Sequence, residues 1–579
     1  MEAVLEFFTD ATGSASFLSI YSSVLRVAMP VLALFIVLRC AKSLLGFRRE
    51  PEIWAWMRLA TGELIPVTHW ENVLGRKKSA DIVLDFATVS KSHAVLTRHD
   101  DGSWTIRDVG ARGHVQVNGR QVIETKVNYG DTLSLGGLEM TLEPISNEEA
   151  LLQNLGRTKA GKGNSPGMTL VLLTLFQGMA LLALSFNMGQ EHLMQFLMAF
   201  GELAALEWLL FIGQKIIRRS GFELETVAFF LMTIGLCVTG TSAPGELQKQ
   251  MIAACMGVAL FLTIGLCLRS LDTAKKVRYV AAVFGVLLLL VNLVFGKELY
   301  GAKNWIMIGG FSFQPSELVK ICFIFAGAST MERIVTKRNL ILFIIYAGFV
   351  CACLAVMRDF GTALIFFSCF LVIAYLRSGS YATIALMVAV VGFGAVLAIR
   401  FFPYITARFS NWGHIWEDPL GKGYQQTKAL MCAAAGGLFG LGFGNGWLKY
   451  VAAANTDLVF ALTCEEGGLI LAVLMVAALA VLGMFVVRSA KVGRSSFYTI
   501  SACAAMSIMT VQAILNVFGT VDFLPLTGVT FPFVSNGGSS MIASWGLLAF
   551  LKACDTRQNA SFAVKLSSKQ RKRGKEAAA

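Results

Sequence analysis

A chain of 579 residues that is 55% hydrophobic and only 15% charged, with a mean hydropathy of +0.63, cannot hide its apolar surface in a water-soluble globule. Its net charge of +13 would suit a nucleic-acid binder, but the Lys and Arg residues fall in short groups between apolar runs, which excludes that class. The 12 cysteines are scattered among those runs with no Cys-x-x-Cys pair, so neither a disulfide framework nor a zinc site is expected.

In chain order, the N-terminus carries Glu2, Glu6 and Asp10 and no basic stretch, so no cleavable signal peptide is expected. Residues 1–50 read as an anchor, with a membrane helix over Phe17 to Leu38 that includes Arg26. A soluble insert follows over 51–146. Its β-rich runs Asp81–Leu84, Ala94–Thr97, Trp104–Arg107 and Val115–Val117 alternate with turn signals at Asp101-Gly102, Asn118-Gly119 and Tyr129-Gly130-Asp131, the pattern of an all-β sandwich. A linker over 147–166, rich in Gly, Lys and Ser, leads to a membrane domain over 167–554 and a basic tail over 555–579.

About twelve spans fit that domain, near 168–187, 193–213, 223–243, 250–268, 279–296, 316–332, 339–357, 361–377, 381–401, 458–487, 497–519 and 540–553. Basic groups mark alternate connections: Arg48-Arg49, Arg157 with Lys159, Lys215 with Arg218 and Arg219, Arg269 with Lys275, Arg333 with Arg338, Arg488 with Arg494, and the tail Lys569 to Arg573. The positive-inside bias assigns these, with the soluble insert and the C-terminus, to the cytoplasmic side.

The opposite side then collects the unusual polar segments: Gly301 to Ile306, Phe313 to Lys320, Arg358-Asp359, the long loop Phe402 to Asp457, and Leu524 to Ser540. Ionisable groups are expensive in hydrocarbon, so their gathering at one membrane face points to a site rather than a scaffold. Glu317 and Lys320 stand at i and i+3 on one helix face and are expected to form a structural ion pair, with donor binding by Lys303 or Lys320 as the sharper alternative. The glycine-rich stretch Gly436 to Gly446 lacks a following Lys-Ser/Thr and a preceding strand, so close backbone approach is expected there, not nucleotide binding.

Two resemblances rest on these residues. Gly75-Arg76, Asp81 to Leu84, Val89 to Ala94, Trp104 to Asp108 and Val117 to Gly119 resemble a forkhead-associated (FHA) domain, a β-sandwich that binds phosphothreonine peptides. That resemblance implies that Arg76 and Ser90 hold the phosphate and that His93 braces the loops, an Arg–phosphate contact being strong and directional. The chain departs from it over Asp108 to His114, where a Ser-Thr-Asn-Gly segment is usual.

The membrane part resembles the SEDS family (FtsW, RodA and SpoVE). The motifs are Gly301 to Ile306 with Gln314 to Leu318, Arg358 to Thr362, Gly436 to Asn445, Asn455 to Phe460 with Glu465 to Leu469, and Thr527 to Phe533 with Ser535 to Ser540. Their shared order makes the signal specific. Asn455, Phe531 and Asn536 replace the residues usual at those places, and two more spans precede the first motif than the family's common plan of about ten helices requires.

The resemblance implies a polytopic all-α membrane protein with an inserted FHA β-sandwich. Its activity would be that of a peptidoglycan glycosyltransferase polymerising lipid II on the outer face of a bacterial cytoplasmic membrane, beside a class B penicillin-binding protein. Asp457, matching the family's essential aspartate, would be the base, while capping of its helix with Thr456 is the structural alternative. Lys303, Trp305, Gln314, Arg358, Asp359, Gln425 and Ser539 are the candidates for binding substrate, and Arg358 would either touch pyrophosphate or pair with Asp359. A divalent cation, Mg or Mn, would stabilise the pyrophosphate, although no metal-ligating cluster stands out. A lipid II flippase and a non-catalytic scaffold recruiting phosphorylated partners remain open beside the enzyme.

Overall fold

The computed structural model describes residues 15–46, 51–78, 80–99, 101–111, 113–160, 165–299, 302–308, 311–329, 337–378, 381–401, 412–557 and 559–563. Glu2, Glu6, Asp10, Arg48, Arg49, Arg112, Gly301, Arg333, the linker core 161–164, the loop start 402–411 and the basic tail Lys569 to Arg573 lie outside the described residues.

Helix α1 (Ala15–Leu45) precedes two sheets. Strands β1 (Ala55–Leu59), β2 (Leu64–Val67), β3 (Glu71–Gly75), β4 (Ile82–Val83), β5 (Ala94–Arg98) and β6 (Trp104–Asp108) come first. They are followed by β7 (Val115–Val117), β8 (Arg120–Val122), β9 (Glu124–Val127), β10 (Thr132–Leu135) and β11 (Leu138–Glu143). One sheet runs β2-β1-β11-β10-β7-β8 and the other β4-β3-β5-β6-β9. Alternation drives them together: Leu74, Leu96, Trp104, Ile106, Leu133, Leu135 and Leu142 are all buried between the sheets. The Asn118-Gly119 signal forms the two-residue turn joining β7 to β8, with φ of 51° and 77°, as a primed hairpin turn requires.

The expected linker is mostly helix. Residues Asn147–Ala160 form α2, and its start is a capping box: Glu149 N donates to Ser146 Oγ at 3.2 Å while Ser146 N donates to Glu149 Oε2 at 3.1 Å. The Ser146-x-x-Glu149 spacing is the local signal that starts this helix.

The membrane helices follow: α3 (Pro166–Asn187), α4 (Leu193–Ile216), α5 (Glu223–Ser242), α6 (Leu247–Cys267) and α7 (Leu271–Phe295). Strands β12 (Lys297–Leu299), β13 (Ala302–Ile308) and β14 (Phe311–Phe313) occupy what reads as a loop in the sequence. Then come α8 (Pro315–Ser329), α9 (Lys337–Val356), α10 (Phe360–Ser378), α11 (Tyr381–Phe401), the shorter α12 (Tyr424–Gly436), α13 (Val459–Ala490), α14 (Ser496–Thr520) and α15 (Gly538–Ala553). Every expected span falls on one of these helices, and eight of the described helices are long and apolar enough to cross a bilayer. Helix α5 is wholly buried, with α1, α3, α4, α6 and α13 packed around it. The fold is thus a polytopic helical membrane domain carrying a β-sandwich. All twelve cysteines are free.

The start of the expected tail is packed rather than extended. Arg557 is buried and pairs with Asp555 at 2.7 Å and Glu223 at 2.9 Å, and Phe562 lies against Phe261 with ring centroids 5.0 Å apart. Lys552 and Glu225, both fully buried, pair at 2.9 Å beside them.

This end of the bundle also holds the sandwich. Trp70 N donates to Arg494 O at 2.6 Å, Arg494 pairs with Glu52 at 2.9 Å, and the Trp70 ring meets Tyr498 edge-on at 6.1 Å. Arg494 follows α13 directly. Past the helical break at Gly468, the 22 residues from Leu469 to Ala490 rise about 33 Å at 1.5 Å per residue, enough for the ~30 Å hydrocarbon core. The sandwich and the segment preceding α13 therefore lie toward opposite ends of α13.

Candidate active site

Asp457 sits two residues before α13 and is half-buried. The cap position of α13 belongs to Leu458, which makes no side-chain cap bond. Two residues near the end of α14 hold the Asp457 backbone instead: Asn516 Nδ2 and Thr520 Oγ1 donate to its carbonyl at 3.1 and 3.3 Å. Asn516 Nδ2 also donates to Val529 O at 2.9 Å, which pulls the 524–540 segment over the same point. There Gly528, at φ 68°, passes so close that a Cβ on it would lie 3.4 Å from Asp457 Oδ2. Further along, Asn536 N donates to Asn455 O at 2.8 Å and Ser535 Oγ to Thr456 O at 2.6 Å.

The same segment reaches the first motif. A Cβ on Gly361, at the head of α10, would meet Val529 and Thr527 at 2.8 and 3.2 Å. Ser539 Oγ accepts from Gln314 N at 3.3 Å. Gln314 Nε2 and Asn304 Nδ2 both donate to Asp359 Oδ2, at 3.1 and 2.8 Å, while Thr362 N donates to Asp359 Oδ1 at 3.1 Å. A continuous polar seam thus links Asn304, Asp359, Gln314, Ser539 and the 524–540 segment to Asp457. Thr527 Oγ1 is buried on this seam with no hydrogen-bond partner among the described residues, and so are Asn304 Oδ1 and Ser316 Oγ.

Not every expected residue faces outward from the seam or joins it. Asp359 is buried with its carboxylate occupied by three donors, so it orders the motifs rather than facing outward. Arg358, at φ 61°, pairs with exposed Glu298 at 3.6 Å and not with Asp359. Lys303 Nζ donates to Leu293 O at 3.0 Å, at the end of α7. Trp305 is half-buried on β13, paired in register with Lys297. Gln425 stays at the surface, donating to Ala452 O at 3.0 Å; its buried neighbour Gln426 bonds to the end of α14, donating to Gly519 O at 2.9 Å. Lys320 Nζ and Glu317 Oε1 lie 2.6 Å apart on α8 and both side chains are buried.

Glu465 and Glu466 stand in the sequence within a motif, with no role assigned to them. Glu465 accepts from Trp447 N and Leu448 N at 2.8 and 2.9 Å; Glu466 accepts from Gly444 N, Gly446 N and Thr241 Oγ1. Their carbonyls take further amides, from Leu441 at 2.8 Å and Gly442 at 2.9 Å. Any Cβ on Gly436, Gly440 or Gly468 would strike this backbone, which is why the stretch is glycine-rich, and α13 breaks its helical geometry at Gly468 (φ 87°) to admit it. The loop before Asp457 is therefore pinned to α13 by buried carboxylates.

Among the described residues no group of three or more His, Cys, Asp or Glu side chains gathers, so the protein's own donors do not form a cation cage at this seam.

Residues 227–560 match the FtsW, RodA and SpoVE family model, described as a cell cycle protein. The chain belongs to this family. Within it, the peptidoglycan glycosyltransferase RodA of Mycobacterium tuberculosis (strain H37Rv) is 31% identical over 329 residues, covering 52% of this chain and 69% of that one. The probable peptidoglycan glycosyltransferase FtsW of Escherichia coli O157:H7 is 33% identical over 342 residues, covering 55% and 80%. A chain from a peptidoglycan synthase complex, solved for its coordination of polymerization and crosslinking, aligns at 25% identity and a TM-score of 0.48 over 58% of this chain and 98% of its own. The family match begins inside α5, so the surplus spans α3 and α4, together with α1, precede it.

Residues 72–136 match the FHA-domain model. Its loops are tied through His93, which is fully buried: Nδ1 accepts from Ser90 N at 3.1 Å and Nε2 lies 3.2 Å from His114 O. Arg76, exposed, donates its N–H to Ser90 O at 3.0 Å. His114 adopts φ 44° in the segment that departs from the usual pattern.

Proposed function

We propose that this chain is a peptidoglycan glycosyltransferase that polymerises lipid II at the membrane face opposite its FHA domain. Asp457 acts as the base. It takes the proton from an acceptor sugar hydroxyl as that oxygen attacks the anomeric carbon of the donor; the new glycosidic bond forms while the bond to the lipid pyrophosphate breaks. A positioned base of this kind contributes about 10²–10⁴-fold. The single observation that carries this reading is the clamp on Asp457: its backbone is held from α14, and the Gly528 turn runs alongside its carboxylate. Exposed Lys303, on β13, and Arg358, in the turn between α9 and α10, supply positive charge for the departing pyrophosphate. Gln314 and Ser539 line the seam between them.

The positive-inside bias places the FHA domain and the C-terminus in the cytoplasm and Asp457 outside, in a bacterial plasma membrane. A class B penicillin-binding protein would take up the strands, and a phosphothreonine protein would bind at Arg76 and Ser90, held by His93. The test is reconstitution with lipid II and the cognate transpeptidase. Wild type should yield glycan ladders and Asp457→Asn none, at equal expression and thermal stability. Translocation of lipid II in proteoliposomes without ladders would favour transport instead.

A further inference from the structure

We propose that the cleft between α3, α4 and the start of α5 binds the headgroup of an anionic phospholipid in the leaflet on the FHA side. The cleft holds about 520 Å³, ample for a headgroup. One wall is apolar and comes from bilayer-spanning turns: Val171, which is 49% exposed, with Trp208 and Phe211. The base is polar and cationic, formed by Lys215, Arg219 and the first turn of α3 at Pro166, where Ser165 makes no side-chain cap bond. Aromatic rings above and cations below are the order of groups that a phospholipid meets at the interface.

The charges favour an anion. Arg219 donates to the Ser561 carbonyl, and burial together with Arg269 and Arg494 lowers its pKa to about 10. Glu223, at the edge of the cleft, is already engaged by Arg557 at 2.9 Å and by Ser43 at 2.6 Å, so it does not cancel them. The apolar wall comes from α3 and α4, which precede the family match, while Arg557 at the rim lies within it. Arg494 also anchors the sandwich through Trp70 and Glu52, which puts a bound headgroup next to the docking seam.

The test is native mass spectrometry of the full chain with phosphatidylglycerol or phosphatidylcholine. Wild type should retain phosphatidylglycerol preferentially, and excess inorganic phosphate should not displace it. Lys215→Gln should weaken retention about five-fold and Lys215→Gln with Arg219→Gln about 25-fold, the usual effect per basic residue at an anionic surface. Val171→Trp fills the cleft with every charge intact and should abolish retention. The proposal is overturned if these variants retain phosphatidylglycerol as wild type does, if phosphatidylcholine binds equally, or if free phosphate competes.

Discussion

Asn516 donates from one amide nitrogen to the carbonyls of both Asp457 and Val529, at 3.1 and 2.9 Å, so one α14 side chain sets the gap between the proposed base and the segment facing it. Asn516→Leu keeps the volume and removes the donor. Polymerisation should fall by about 10²-fold, the scale of a 1 Å misplacement, with kcat affected more than KM. Ladder-formation kinetics against lipid II concentration check this; an unchanged kcat would show that the clamp does not matter.

Lys320 and Glu317 are buried together 2.6 Å apart. Lys320→Met alone strands a carboxylate and should cost about 3–5 kcal/mol, whereas Glu317→Leu with Lys320→Met should recover most of that loss. Thermal unfolding in detergent, run as a double-mutant cycle, measures the difference. Equal loss in the single and double variants would refute the pairing.

Gly468 holds φ 87° inside α13, with the Leu438 carbonyl and the Gly440 amide pressed against it. Gly468→Ala should displace the glycine-rich loop and abolish polymerisation while the FHA sandwich remains folded. Hydrogen exchange resolved by segment should show new exposure over 436–448 alone.

Trp70 meets Trp54 at 5.9 Å and Tyr498 at 6.1 Å, both edge-on. Trp70→Ala should loosen docking by about 0.5–1.5 kcal/mol, the scale of its one ring contact across the seam, with Tyr498, and leave phosphopeptide affinity at Arg76 and Ser90 within two-fold, roughly the scatter of surface substitutions. Those loops lie at the far end of β3 from Trp70. Limited proteolysis near 46–54 and isothermal titration with a phosphothreonine peptide separate the two effects.

Asp108 is partly buried, which would raise its pKa, but the amides of Ala111 and Gly110 and the neighbouring His114 outweigh that and hold it below the ordinary 3.8. A carboxylate depressed on folding stabilises the sandwich above pH 3.8 and loses that contribution as pH falls through the lower folded value. Asp108→Asn should flatten acid unfolding of the sandwich in this window, as followed by Trp104 fluorescence.

Sequence alone was enough for the long apolar helices and the two-part architecture. Continuous apolar runs report spans directly, and Val115 to Val122 carries its own hairpin turn. The same signal failed where local propensity competes with context, as in the capped helix α2 and the three short strands β12 to β14. Partners across the bundle were beyond it. That Arg358 pairs with Glu298, that Gln426 bonds to the end of α14, and that Glu465 and Glu466 hold the glycine loop follow from helix packing between distant residues. Periodicity names the face a side chain occupies, but only the assembled helices decide which polar group waits there, because buried donors and acceptors must be satisfied wherever the packing leaves them.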